Sequence, residues 1–167
     1  NERVFSLAVY DGELYAAGYF TTIGGISANN IAKWNGSSWS PVSSGMTGTY
    51  PGTYSGVFAM TVYNGELYAT GRFTSAGSNI VNNIAKWNGV SWSAVGSGLM
   101  NNGGNLFTEV YSLSVYNEEL YAGGYFTTAG GIPANYIAKW SICNAPVQPN
   151  SITGNTGNDN ITGGLGA

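Results

Sequence analysis

The residues of this 167-residue chain that could do acid–base chemistry are few, and they repeat. Glu13, Glu66 and Glu119 recur at a spacing of 53 residues, and Lys33, Lys86 and Lys139 keep the same interval. Paired carboxylates are the equipment of glycoside hydrolysis. A residue present in every repeat is, however, symmetric about the axis relating the repeats, whereas catalysis needs one asymmetric constellation. The expectation is therefore a Glu–Lys pair or strand-end bond in each repeat. There is no histidine, and the one cysteine is Cys143. Imidazole acid–base work, His-activated nucleophiles, a disulfide framework and a cysteine-based zinc site are thereby excluded. Residues that break the repeat are better candidates for recognition: Tyr50, Tyr54, Arg72, Met100, Asn101, Asn102 and Phe107. Aromatics set among Asn, Thr and Gly suit the binding of a glycan or a protein partner.

The elements that position these residues follow from the repeat. Val-Tyr-Asp-Gly-Glu-Leu-Tyr-Ala starts at Val9, with near-copies at Val62 and Val115, and Ile-Ala-Lys-Trp ends at Trp34, Trp87 and Trp140. A period near fifty means a supersecondary unit that buries its apolar surface only by stacking on its neighbours. Charged residues make up 8% of the chain, against about 25% in ordinary soluble domains. Glycine, Tyr, Trp, Thr, Ser and Asn are abundant, the palette of short strands and tight turns. A net charge of −3 offers no basic surface for nucleic acid, and no apolar run reaches the length of a membrane span.

Each repeat reads as four strands. The first, Val4–Tyr10, alternates Phe5, Leu7 and Val9 with small Ser6 and Ala8; Phe58, Met60 and Val62, and Tyr111, Leu113 and Val115, are its copies. Asp11-Gly12 and Asn64-Gly65 supply the positive φ values of a two-residue hairpin. Glu118 stands where the third copy should have glycine. The second strand, Glu13–Phe20, has small residues at its centre and no polar face, so both faces are expected to be covered. A ten-residue loop, a third strand (Ile31–Trp34), an Asn35-Gly36 turn and a fourth strand around Trp39–Val42 complete the unit. Four antiparallel strands repeated and packed face to face about an axis make β-propeller blades, with a β-solenoid or β-prism as the alternative.

The order of features is similar to the kelch repeat over residues 4–142. Leu120-Tyr-Ala-Gly-Gly-Tyr-Phe126 carries that family's glycine pair at Gly123-Gly124, where the other copies have Ala17-Gly18 and Thr70-Gly71. The resemblance implies an all-β fold of consecutive four-stranded blades, at about 4–56, 57–109 and 110–142. In a four-stranded meander the long connections share one end. These are Thr21–Asn30 with its copies, and the links Ser43–Gly56 and Gly96–Glu109. That face is where binding is expected. The third repeat lacks the Asn-Gly turn and second Trp, so its fourth strand reads as missing. Three blades are fewer than the usual four to eight. The propeller is expected to continue upstream of Asn1, with its open blade edges available for self-association.

Residues 143–150 read as a proline-marked linker. Beyond it, Gly154-Asn-Thr-Gly157-Asn-Asp159-Asn-Ile161-Thr and Gly163-Gly164-Leu-Gly166-Ala167 resemble the calcium-binding nonapeptide of RTX proteins, with Asn155 for the second glycine. That resemblance implies a glycine-rich, β-roll-like tail over 151–167. Gly154, Gly157, Asp159, Gly163, Gly164 and Gly166 would form a partial calcium site, incomplete in this chain because the ion sits between successive coils. It also implies export from a bacterium to calcium-rich surroundings. The combined expectation is a non-catalytic binding or scaffold module of a secreted bacterial protein. The alternative is part of a propeller enzyme, a polysaccharide lyase or glycosidase, with its catalytic residues outside this chain.

Overall fold

The computed structural model describes residues 2–48, 54–102, 107–142 and 159–162, with backbone only at 141–142 and 159–162. Among these residues there is no helix. The first repeat contributes β1 (Arg3–Tyr10), β2 (Glu13–Tyr19), β3 (Thr22–Ile23), β4 (Ile26–Ser27), β5 (Ile31–Trp34) and β6 (Trp39–Pro41). The second adds β7 (Met46–Thr47), β8 (Gly56–Tyr63), β9 (Glu66–Arg72), β10 (Ser75–Ala76), β11 (Asn79–Ile80), β12 (Ile84–Trp87) and β13 (Trp92–Ala94). The third adds β14 (Leu99–Met100), β15 (Glu109–Tyr116), β16 (Glu119–Tyr125), β17 (Thr128–Ala129), β18 (Ile132–Pro133), β19 (Ile137–Ile142) and β20 (Asp159–Thr162).

Three four-stranded antiparallel sheets result, ordered β1-β2-β5-β6, β8-β9-β12-β13 and β15-β16-β19-β20. Each is a blade, and β8 packs between β1 and β15. The tight turns form as their residues require. Asp11, Asn64 and Asn117 hold φ near +50°, and the side-chain oxygens of Asn35 and Asn88 accept backbone N–H bonds two and three residues on. The small-residue second strands are buried, as a sheet covered on both faces demands.

The alternation of large and small residues in the first strand of each repeat does not by itself mark a buried face. In β8 it is Val57, Met60 and Tyr63 that are buried, while Val62 is exposed. The cause is a bulge between Val57 and Ala59, repeated at Val4/Ser6 and Val110/Ser112, which slips the two-residue period. The bulge also explains a glycine. A Cβ on Gly18, Gly71 or Gly124 would fall onto the carbonyl oxygen of Arg3, Gly56 or Glu109, so that position admits no side chain. One expectation needs correction: the fourth strand of the third blade is present. It is Asp159–Thr162, paired antiparallel with β19 in the register Ile142↔Asp159 to Lys139↔Thr162. The exposed edge of β19 is a template, and Asn-Ile-Thr supplies β-forming residues to fill it.

The long connections build a second layer at one end of the blades. Between β2 and β5 lies the ribbon β3-β4, and the next two blades carry the equivalents β10-β11 and β17-β18. The links between blades add a strand to these ribbons: β7 pairs β10, and β14 pairs β17. The ribbon of each of these blades therefore holds the chain that enters that same blade. Two core clusters lie between blades: Tyr15, Ala17 and Ile31 pack on Val57, Leu67 and Trp87, and Tyr63, Tyr68 and Ile84 pack on Val110, Leu120 and Trp140. A third, Phe20, Ala28 and Ala32, lies within the first blade.

Candidate functional site

Recognition on a repeat protein needs a place where the repeat is broken, and two strand-end positions break it. The last residue of the second strand is Tyr19, Arg72 or Tyr125 in successive blades, and the first described strand opens on Arg3, Gly56 or Glu109. Where blades two and three meet, Arg72 forms an ion pair with Glu109, and the Tyr111 hydroxyl also donates to Glu109. Where blades one and two meet, the corresponding residues are Tyr19 and Gly56. No side chain leaves Gly56, and a cleft opens.

This cleft has a volume of about 300 Å³. Phe5, Tyr19, Tyr54 and Phe58 form its aromatic wall, with Arg3 and Arg72 among its lining residues and none of the lining residues acidic. The Tyr19 and Tyr54 rings meet edge to face at 5.4 Å, and Phe5 and Phe58 do so at 5.7 Å. Phe58 in turn stacks on Tyr111 at 5.7 Å, so one aromatic row runs along the first strands of all three blades. Tyr54 is largely exposed. The Arg72 Nε is buried and has no hydrogen-bond partner among the described residues, while the guanidinium is paired with Glu109.

The residues expected to bind are thus distributed unevenly. Tyr54 and Arg72 come together in the cleft. Asn101, Asn102 and Phe107 lie one blade further on, where the Asn102 N–H donates to Thr127 Oγ1 at 2.9 Å and the Asn101 amide reaches the Phe107 carbonyl at 3.5 Å. These contacts fasten the link to the ribbon of blade three. Met100 sits in β14 of the same layer. Tyr50 lies outside the described residues, as do Gly154, Gly157, Gly163, Gly164 and Gly166; of Asp159 the backbone alone is described, in β20. Tyr19, Gly56, Phe5 and Phe58 were not among the expected site residues. Comparing the three repeats position by position would have found the Tyr/Arg/Tyr and Arg/Gly/Glu departures.

A family model matches residues 11–37, and its description is a domain of unknown function (DUF5122) beta-propeller. The repeat is of propeller type. No curated protein matches the chain. Propeller-type repeats fix a frame, and what the frame does is decided by sites such as this cleft.

The repeated carboxylates are structural in their geometry. Lys33 meets Glu13 at 2.7 Å, Lys86 meets Glu66 at 3.0 Å and Lys139 meets Glu119 at 2.7 Å. The Lys139 bond, helped by the Tyr121 hydroxyl at 2.7 Å, holds the Glu119 carboxyl below its ordinary value. The bond to Glu13 likewise raises the Lys33 ammonium, and the bond to Glu119 raises Lys139. Both kinds of shift favour the charged pair, the reverse of what a carboxyl kept protonated as a general acid needs. Among the described residues no cluster of three metal-ligating side chains occurs, and no helix is long and apolar enough to cross a membrane.

Proposed function

We propose that this chain is a non-catalytic binding module, and that the cleft between its first two blades holds a glycan or a segment of a partner protein. The observation that carries this reading is the aromatic wall of Phe5, Tyr19, Tyr54 and Phe58 at the one described blade junction where glycine replaces a side chain. Binding sites are typically apolar concavities with a few placed polar groups, and here Arg72 supplies the polar group. Four rigid rings offer large contact area at little entropic cost. The absence of an acidic residue from the lining, and the engagement of each repeated Glu with a Lys, favour binding over hydrolysis.

The kelch-like order of features and the RTX-like tail complete this reading. They make the module part of a secreted bacterial protein, with calcium taken up by the glycine-rich tail once further coils are supplied. Asp159 has two uses in this scheme, as calcium ligand and as the first residue of β20, and the two compete.

The test is retention of immobilised polysaccharides and of peptides by the purified chain, compared with Tyr54→Ala and Tyr19→Ala variants. Tyr54 is exposed, so its loss should leave the fold intact. Retention is expected to fall 10-fold or more in either variant, as removal of an aromatic anchor does. Equal retention by all three proteins would contradict the cleft assignment, and turnover of a polysaccharide would contradict the non-catalytic reading.

A further inference from the structure

The cleft between blades one and two is rich in rings and donors and poor in acceptors. Its lining holds no Asp, Glu, Asn or Gln, and its polar side chains are hydroxyls and guanidinium groups. The Nε–H of Arg72, left over when the guanidinium pairs with Glu109, is buried without a partner among the described residues. A glycan brings a hydroxyl donor with nearly every acceptor it offers. A proline-rich segment does not, because each proline keeps its carbonyl and lacks the N–H. In the polyproline II form such a segment makes no internal hydrogen bonds and is ordered before it binds. Aromatic-lined grooves are the surfaces that take it.

This sequence carries a segment of that kind. Pro146-Val-Gln-Pro149 spaces its prolines three apart, one polyproline II turn, within the uncharged stretch from Cys143 to Asn150. The stretch belongs to a connection outside the described residues, but both ends of that connection are fixed. Ile142 and Asp159 face each other across β19 and β20. Blades one and two close the same corner with four residues, 35–38 and 88–91. Blade three uses sixteen, 143–158, far more than the turn requires.

We infer that the cleft of one copy of this chain holds the Pro146-Val-Gln-Pro149 segment of a second copy. The inference rests on the cleft reading above and names its occupant. A copy's own segment cannot reach. The connection leaves β19 at the blade end where Ser141 pairs with Glu119, the start of β16. The cleft lies at the opposite end, where the second strands finish at Tyr19 and Arg72. A strand the length of β16 spans about 20 Å, before the sideways distance to the first junction is added. Pro146, four residues beyond Ile142, extends about 14 Å at most. The contact is therefore made between copies, each offering one cleft and one segment.

The test titrates a labelled peptide of residues 144–151 with the 167-residue chain and follows its fluorescence anisotropy. Saturable binding is expected, weakened about 10-fold or more by Tyr54→Ala in the chain or by alanine at both prolines of the peptide. Because the contact uses two different surfaces, it can also be dissected by mixing. The mass of the parent chain in light scattering should rise with concentration. The Tyr54→Ala chain and the Pro146→Ala, Pro149→Ala chain should each stay at 17.4 kDa, and their equimolar mixture, with one intact cleft and one intact segment, should pair. A parent chain that retains polysaccharide through Tyr54 but ignores the peptide would overturn this inference and leave the cleft reading standing; retention of neither would overturn both. Peptide binding undiminished by Tyr54→Ala would put the segment on another surface and overturn the inference. A parent mass fixed at 17.4 kDa would overturn the second copy as occupant.

Discussion

Glu118 sits at φ +60° in a turn where its counterparts are Gly12 and Gly65. Left-handed backbone costs a residue with a Cβ about 1 kcal/mol, partly offset by the greater freedom of unfolded glycine. Glu118→Gly is therefore expected to raise unfolding stability by roughly 0.5–1 kcal/mol in urea titration, and a loss of stability would show that the side chain has a compensating partner. The strain was legible in the sequence because the turn type demands positive φ. The cleft was legible only in part. Tyr54 and Arg72 stand out as departures from the repeat, but Tyr19 and Gly56 sit inside strands that read as regular. Their departure gains meaning only when the end of β2 is known to meet the start of β8 of the next blade.

At the scale of elements, sequence patterns named the hairpins and the two-face burial of β2 and β9 without difficulty, because turn chemistry and side-chain size act locally; in β16 only Leu120 and Ala122 are buried. The patterns assigned no buried face to β1, β8 and β15, where a bulge slips the two-residue period without leaving a mark in hydrophobicity. They also left the β3-β4 ribbon and its copies as plain loops, because strands of two residues carry too short a pattern to read, and in β10 and β17 the link also pairs with them. Asn83 is central to that pairing. Its amide donates to the Leu99 carbonyl at 2.9 Å, and its backbone holds φ +61°. Asn83→Ala leaves a buried carbonyl without its donor and replaces a residue that tolerates left-handed φ by one that does so less readily, for an expected loss of about 2–4 kcal/mol. Hydrogen exchange should show the faster opening in β14 and β17. A variant as stable as the parent would show that the ribbon layer does not depend on this anchor.

For the whole molecule, the three blades are held by junctions of one design, and function is assigned to the junction that departs from it. Blades two and three close their junction with Arg72 and Glu109. Blades one and two leave theirs open with Tyr19 and Gly56, which makes the cleft a property of the arrangement and of no single residue. The most direct measurement is to close it. Tyr19→Arg with Gly56→Glu would install the ion pair of the second junction in the first; Gly56 has no left-handed φ, and its Cβ would meet mainly the movable Phe58 ring at 3.2 Å. The double variant should unfold at the same denaturant concentration as the parent and retain none of the polysaccharide or peptide that the parent retains. Undiminished retention by a folded double variant would contradict the account, because the chain would then bind through some surface other than the junction where its symmetry is broken.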